Sequence, residues 1–127
     1  MAESKGYIKS TDEKGSINIS EDVVAVIAGA AAAEVQGVHG LFFTPGMELS
    51  NMLGRRGLSK GVKLIIEEED IILDVYIIAD TGYSVSEVGA EVQRVVMSAV
   101  EAAVGVTVKA VNVQICGIAL KKNKASV

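Results

Sequence analysis

The sequence predicts an α+β domain: a two-layer sandwich in which a mostly antiparallel, four-stranded sheet carries two helices on one face. Three observations predict it. Two stretches repeat apolar residues every three or four positions, and both end on a glycine-valine stop, Val35-Gln36-Gly37-Val38 and Ala103-Val104-Gly105-Val106. Around them the apolar period falls to two, which is the period of strands. The resulting order is β-α-β-β-α-β, the split βαβ pattern. Half of the 127 residues are apolar, with two Phe, three Tyr and no Trp, so Val, Ile and Ala must make the core.

Residues 1–14 are polar and are expected to form a flexible N-terminal segment, from which Tyr7-Ile8 offers at most a short edge strand. Gly15 to Ile19 alternates, with Ile17 and Ile19 on one face, as a half-buried strand should. Ser20 accepts a backbone N–H at the start of the first helix, expected to run to about Gln36. Glu21 and Asp22 suit the positive end of its dipole. Gly29 lies mid-helix, where it costs up to about 1 kcal/mol relative to Ala, so close packing is expected there.

The segment 38–43 is a candidate fifth strand. Residues 41–60 read as a mobile insertion, in which Thr44-Pro45 opens a short amphipathic turn carrying Leu49, Met52 and Leu53 before Gly54-Arg55-Arg56-Gly57. A hairpin follows. Val62, Leu64 and Ile66 face one way, Glu67 to Asp70 turn, and Ile71, Leu73, Val75, Ile77 and Ala79 return on the same face. The opposite face carries Lys63, Ile65, Ile72, Asp74, Tyr76 and Ile78, which is too apolar for a surface left in water. Ser84 and Glu87 form a capping box for the second helix, through about Val104. Gly89 echoes Gly29, so the two helices are expected to meet closely. The last strand, Val106 to Leu120, changes apolar phase near Lys109-Ala110 and again near Gly117, and each slip predicts a β-bulge. Residues 15–120 therefore form one domain, and 121–127 a basic, flexible tail.

Composition excludes several function classes. A net charge of −4 and a pI near 5.0 argue against non-specific nucleic-acid binding, which draws on Lys and Arg at phosphates. The longest apolar run ends at Ala33, having begun at Val23, whereas a spanning helix needs about 20 residues. The N-terminus lacks an apolar signal segment, and one cysteine excludes an intramolecular disulfide. A cytoplasmic protein is expected.

The motifs favour structure over chemistry. Asp80-Thr81-Gly82 matches an aspartic-protease signature, but two long helices do not fit that all-β class, and a strand-to-helix turn explains it. Gly54 to Gly57 matches the GXXG loop of KH domains and supplies the alternative function, an RNA-binding module. Against it, the strand from Val62 leaves no room for the helix that should follow. Glu67 to Asp70 lacks the ligand spacing of a Ca²⁺ loop. His39 stands in a glycine-flanked turn with no neighbouring ligand, and Cys116 reads as a small core residue. No catalytic residue, cofactor or metal is expected.

Gly15 to Ser20 with Glu34-Val35-Gln36-Gly37-Val38, Gly61-Val62-Lys63 with the Tyr76 strand, and Val111-Asn112-Val113-Gln114-Ile115-Cys116-Gly117-Ile118 together resemble the alkaline shock protein family, over about residues 15–120. The family pattern often has His where Gln114 stands here. The resemblance implies a non-enzymatic cytoplasmic protein linked to envelope or alkaline stress. Its partners would be an integral-membrane anchor protein, holding it at the membrane's inner face, or acetyl-CoA carboxylase subunits in fatty-acid synthesis. Self-association is expected. Two surfaces are candidates for it or for partner docking: the sheet strip of Ile65, Ile72, Tyr76 and Ile78, and the segment with Leu49, Met52, Leu53, Arg55 and Arg56.

Overall fold

Serine caps begin both helices, as their spacing requires. In the computed structural model, which describes residues 7–42, 61–67 and 70–120, Ser20 Oγ accepts the Val23 N–H at 3.2 Å and Ser84 Oγ accepts the Glu87 N–H at 3.4 Å. The order is β1 (Tyr7–Asp12), β2 (Gly15–Ser20), α1 (Glu21–Ala33), β3 (Val38–Leu41), β4 (Val62–Glu67), β5 (Asp70–Asp80), α2 (Val85–Val104) and β6 (Val108–Ala119). The fold is α+β, with both helices against one face of the main sheet.

β5 is the centre of that sheet. Its odd residues, Ile71 through Ala79, are fully buried under the helices. α2 adds Val88, Val92, Val96, Val100 and Val104 to the same core, one residue per turn, and lies against β6 and α1. α1 buries small residues instead, Val24, Ala25, Ala28, Gly29 and Ala32, which lets it lie close to the sheet and to α2. Apolar burial of this kind is the dominant stabilising term, at about 25 cal/mol per Å².

The strand pairing departs from the expected sheet in two places. β2 does not join it. Among the described residues β2 pairs only with β1, from Tyr7↔Ser20 to Asp12↔Gly15, in a separate hairpin whose turn is fixed by the Lys14 N–H donating to Asp12 Oδ1 at 2.8 Å. Residues 7–12, expected within a flexible segment, are thus a strand, and Ile8 plugs into the core. Ile17 shares the face of Ile19 but lies beyond the core and stays 63% exposed.

The second departure is on the other edge. β3 and β4 both run antiparallel to β5, end to end along the same side. At the joint the Phe42 N–H donates to Tyr76 O at 2.8 Å, and the Tyr76 N–H donates to Gly61 O at 2.7 Å. The two strands therefore make one interrupted edge strand, broken opposite Tyr76. On the far side β6 runs parallel to β5 through the α2 crossover. The candidate strand at 38–43 thus exists as β3, in the row that the hairpin strand β4 continues.

Both expected bulges occur. The β5–β6 register skips Lys109 between Ile71 and Ile72 and skips Cys116 between Ile77 and Ile78. A third skips His39 in β3. Each leaves one residue unpaired and turned outward, and all three are exposed.

The two helices do meet closely, as expected, but Gly89 is not what lets them: a Cβ there would meet Ile115 Cδ1 of β6 at 3.6 Å, an ordinary contact, so it faces the sheet. Gly89→Ala is expected to stabilise the protein by about 0.5–1 kcal/mol, since helix interiors favour Ala by that much. Urea unfolding checks this, and a loss of stability would show that the close approach matters after all.

Candidate functional site

The helix-free face of the sheet is built from the even positions of β5. Ile72, Asp74, Tyr76 and Ile78 all point to it, each half-buried by neighbouring strands. Register then fills the rows. Ile65 of β4 and Ala110 of β6 flank Ile72, while Lys63 and Asn112 flank Asp74. Gln114 lies beside Tyr76, and Gly40 and Gly117 flank Ile78. A Cβ at either glycine would meet nothing within 4 Å, so Ile78 stands between two bare stretches of backbone. The four residues chosen from sequence are thus brought together on one face. From Ile72 to Ile78 the strip is roughly 20 Å long, at about 3.3 Å per strand residue.

The carboxylate on this face is already hydrogen-bonded. The Asn112 amide donates to Asp74 Oδ1 at 2.8 Å, and Lys63 stands opposite Asp74 in the register. Burying such a carboxylate costs less than burying a bare one, because its hydrogen bonding is partly met within the sheet.

The second candidate surface, with Leu49, Met52, Leu53, Arg55 and Arg56, lies outside the described residues, as does the Gly54 to Gly57 motif. Its two ends are described. Phe42 and Gly61 both bond to Tyr76, so the segment 43–60 leaves and rejoins the sheet beside the apolar strip.

The residues tested for chemistry have structural roles. The Asp80 N–H donates to Gly37 O at 2.8 Å, and the Thr81 N–H donates to Ala119 O at 3.1 Å. Gly82 adopts φ +97°. Asp80-Thr81-Gly82 is therefore the turn that launches α2. The bulge at His39 brings its Nδ1 to 3.1 Å from Asp80 Oδ1. This pair was invisible in the sequence, because its members are far apart and meet only through that bulge. Cys116, expected in the core, is exposed, because the second bulge turns it out of the buried row. Among the described residues no group of three or more His, Cys, Asp or Glu could hold a metal, and no helix is long and apolar enough to cross a membrane.

A groove of about 460 Å³ opens between the end of α1 and the start of α2. Ala31, Val35 and Val88 supply its apolar lining, and Glu34, Glu87 and Glu91 its carboxylates. Tyr83 forms one end, its hydroxyl accepting from Gln36 Nε2 at 3.5 Å. Arg94 hydrogen-bonds Glu91 through both carboxylate oxygens and, with its charge, holds it below the usual carboxylate range. Sequence reading missed this groove, since the two helix ends that form it are separated by most of the sheet.

The model of the alkaline shock protein 23 family, described by its cell envelope-related function, matches residues 9–120. The uncharacterized protein YloU of Bacillus subtilis (strain 168) is 35% identical over 106 residues, covering 82% of this chain and 88% of its own. The uncharacterized protein YqhY of the same organism is 34% identical over 107 residues, covering 82% and 77%. The solved structure MamM-CTD 215-293 shares 19% identity, covers 76% of this chain and 96% of its own, and superposes at a TM-score of 0.47, a likeness that says nothing of function.

Proposed function

The chain belongs to the alkaline shock protein family, whose function is cell envelope-related, and from that premise we propose that it is a non-enzymatic interaction module whose helix-free sheet face binds a second copy of itself. One observation carries the reading. Ile65 and Ile72 on one side of the Lys63–Asp74–Asn112 row, and Tyr76 and Ile78 on the other, place apolar side chains on the side of the sheet that neither helix covers. Two further features suit a second copy. The strip's charges, Lys63 and Asp74, are of opposite sign and face each other across strands, so two such faces meet without net repulsion. A two-fold interface uses the same patch on both partners, and this patch is self-complementary in that sense.

The paired protein then docks on an envelope-side partner, an integral-membrane anchor protein that holds it at the inner face of the membrane. The family's envelope-related function supports that partner ahead of acetyl-CoA carboxylase subunits.

Sedimentation analysis of the wild type and of Tyr76→Glu tests the self-association. The wild type is expected to sediment as a dimer or larger at micromolar concentration, and the variant as a monomer with an unchanged circular-dichroism spectrum. A wild type that stays monomeric throughout, or a variant that keeps the wild-type mass, would remove the strip from this role.

A further inference from the structure

We propose that the groove between the end of α1 and the start of α2 is the docking site of the chain's own basic C-terminal segment, Lys121 to Val127, folded back in cis. This surface is distinct from the apolar strip and does not depend on it.

The argument begins with charge. Glu34 is the C-cap of α1, and the last turn of that helix contains no basic residue. An acid at the negative end of a helix dipole is unfavourable, and a cation brought there relieves it. Glu87 adds a second carboxylate across the groove, in the first turn of α2. Of the three lining carboxylates, the ion pairs among the described residues reach only Glu91, through Arg94. The groove is therefore a negative cleft with an apolar lining, formed by Ala31, Val35 and Val88. Its complement is a short cationic segment with apolar or small residues between the charges. Lys121-Lys122-Asn123-Lys124-Ala125-Ser126-Val127 has that composition.

Placement agrees with charge. β6 ends at Ala119, whose carbonyl oxygen accepts the Thr81 N–H at 3.1 Å. Thr81 stands two residues before Tyr83, which lines the groove. The segment therefore starts at the mouth of the cleft. Seven extended residues reach about 25 Å, whereas the α2 side of the groove, from Tyr83 to Glu91, is only about 12 Å long at 1.5 Å per helical residue. Leu120, the last described residue, is 81% exposed.

The test uses the full chain with Cys116→Ser and Ser126→Cys, carrying a nitroxide spin label at position 126, and reads amide signals by NMR. The expected result is selective loss of intensity at Glu34, Gln36, Tyr83 and Glu87. That loss should vanish in about 1 M salt, where the screening length falls to about 3 Å. It should vanish also in the Glu34→Gln/Glu87→Gln variant at low salt. Uniform or displaced broadening, or broadening unchanged by both salt and the double substitution, overturns the proposal. So does loss seen only in a mixture of isotope-labelled, nitroxide-free protein with spin-labelled, unenriched protein, because the segment would then reach a neighbouring copy. The salt comparison needs no variant beyond the label, so a variant that failed to fold would not leave the question open.

Discussion

Gly61→Ala is expected to destabilise the protein by about 2–4 kcal/mol, as overpacking and broken hydrogen bonds combine. Backbone freedom is not the reason, since Gly61 is not among the positive-φ glycines. Space is the reason. A Cβ at Gly61 would stand 2.8 Å from Leu41 Cβ, 2.9 Å from Tyr76 O and 3.1 Å from Phe42 O. Two of these atoms are backbone, and the third is a Cβ fixed by its own backbone. None can swing aside as the end of a long side chain would. Room for the methyl group comes only from parting β3, β4 and β5 where they meet, which strains the bonds Phe42 N to Tyr76 O and Tyr76 N to Gly61 O. Urea unfolding measures the loss, and hydrogen exchange locates it, with faster exchange expected first at the Phe42 and Tyr76 amides. A loss under about 1 kcal/mol would mean that the interrupted edge strand has slack at its joint. Because that joint lies beside the apolar strip, the substitution also loosens the proposed self-association face.

The legible and illegible parts of this fold divide on physical grounds. Helix starts were legible because a serine cap is a local device, satisfied within three residues. The β6 bulges were legible because each flips the apolar phase of the strand, and a phase flip is visible in the residues themselves. The buried face of β5 and its apolar reverse were legible for the same reason. The destination of β2 was not. An alternating strand declares its faces but not its partner, and Gly15–Ser20 took the nearer partner, β1, across a tight turn. The β3–β4 continuity was hidden because the residues that meet at Tyr76 are separated by the segment 43–60. His39 with Asp80, and the acidic groove, were hidden likewise. Both are made by chain segments that only the folded sheet brings together.

The glycine-valine stops shared by the two helices predict a second large effect, and an unequal one. In sequence they look equivalent, and both glycines adopt positive φ, +100° at Gly37 and +81° at Gly105. Only Gly105 caps its helix directly, donating its N–H to Glu101 O at 2.9 Å. α1 ends earlier, at Ala33, and Gly37 closes a turn beyond it. Their surroundings differ more. A Cβ at Gly105 would meet nothing within 4 Å, so Gly105→Ala adds only the strain of positive φ, about 1–2 kcal/mol. A Cβ at Gly37 would stand 2.7 Å from Val88 Cγ2 and 3.1 Å from the Tyr83 ring. Val88 is in the core, and its branched side chain has little rotamer freedom in a helix. Gly37→Ala is therefore expected to cost about 3–5 kcal/mol, with overpacking added to the same strain. A midpoint fall of roughly 10 °C or more should accompany it in thermal melts. Equal losses at the two glycines would mean that backbone strain dominates at both and that the contact with Val88 relaxes freely. The expected inequality rests on what lies above each glycine: solvent at one, and at the other the Tyr83 ring and Val88 that wall the acidic groove.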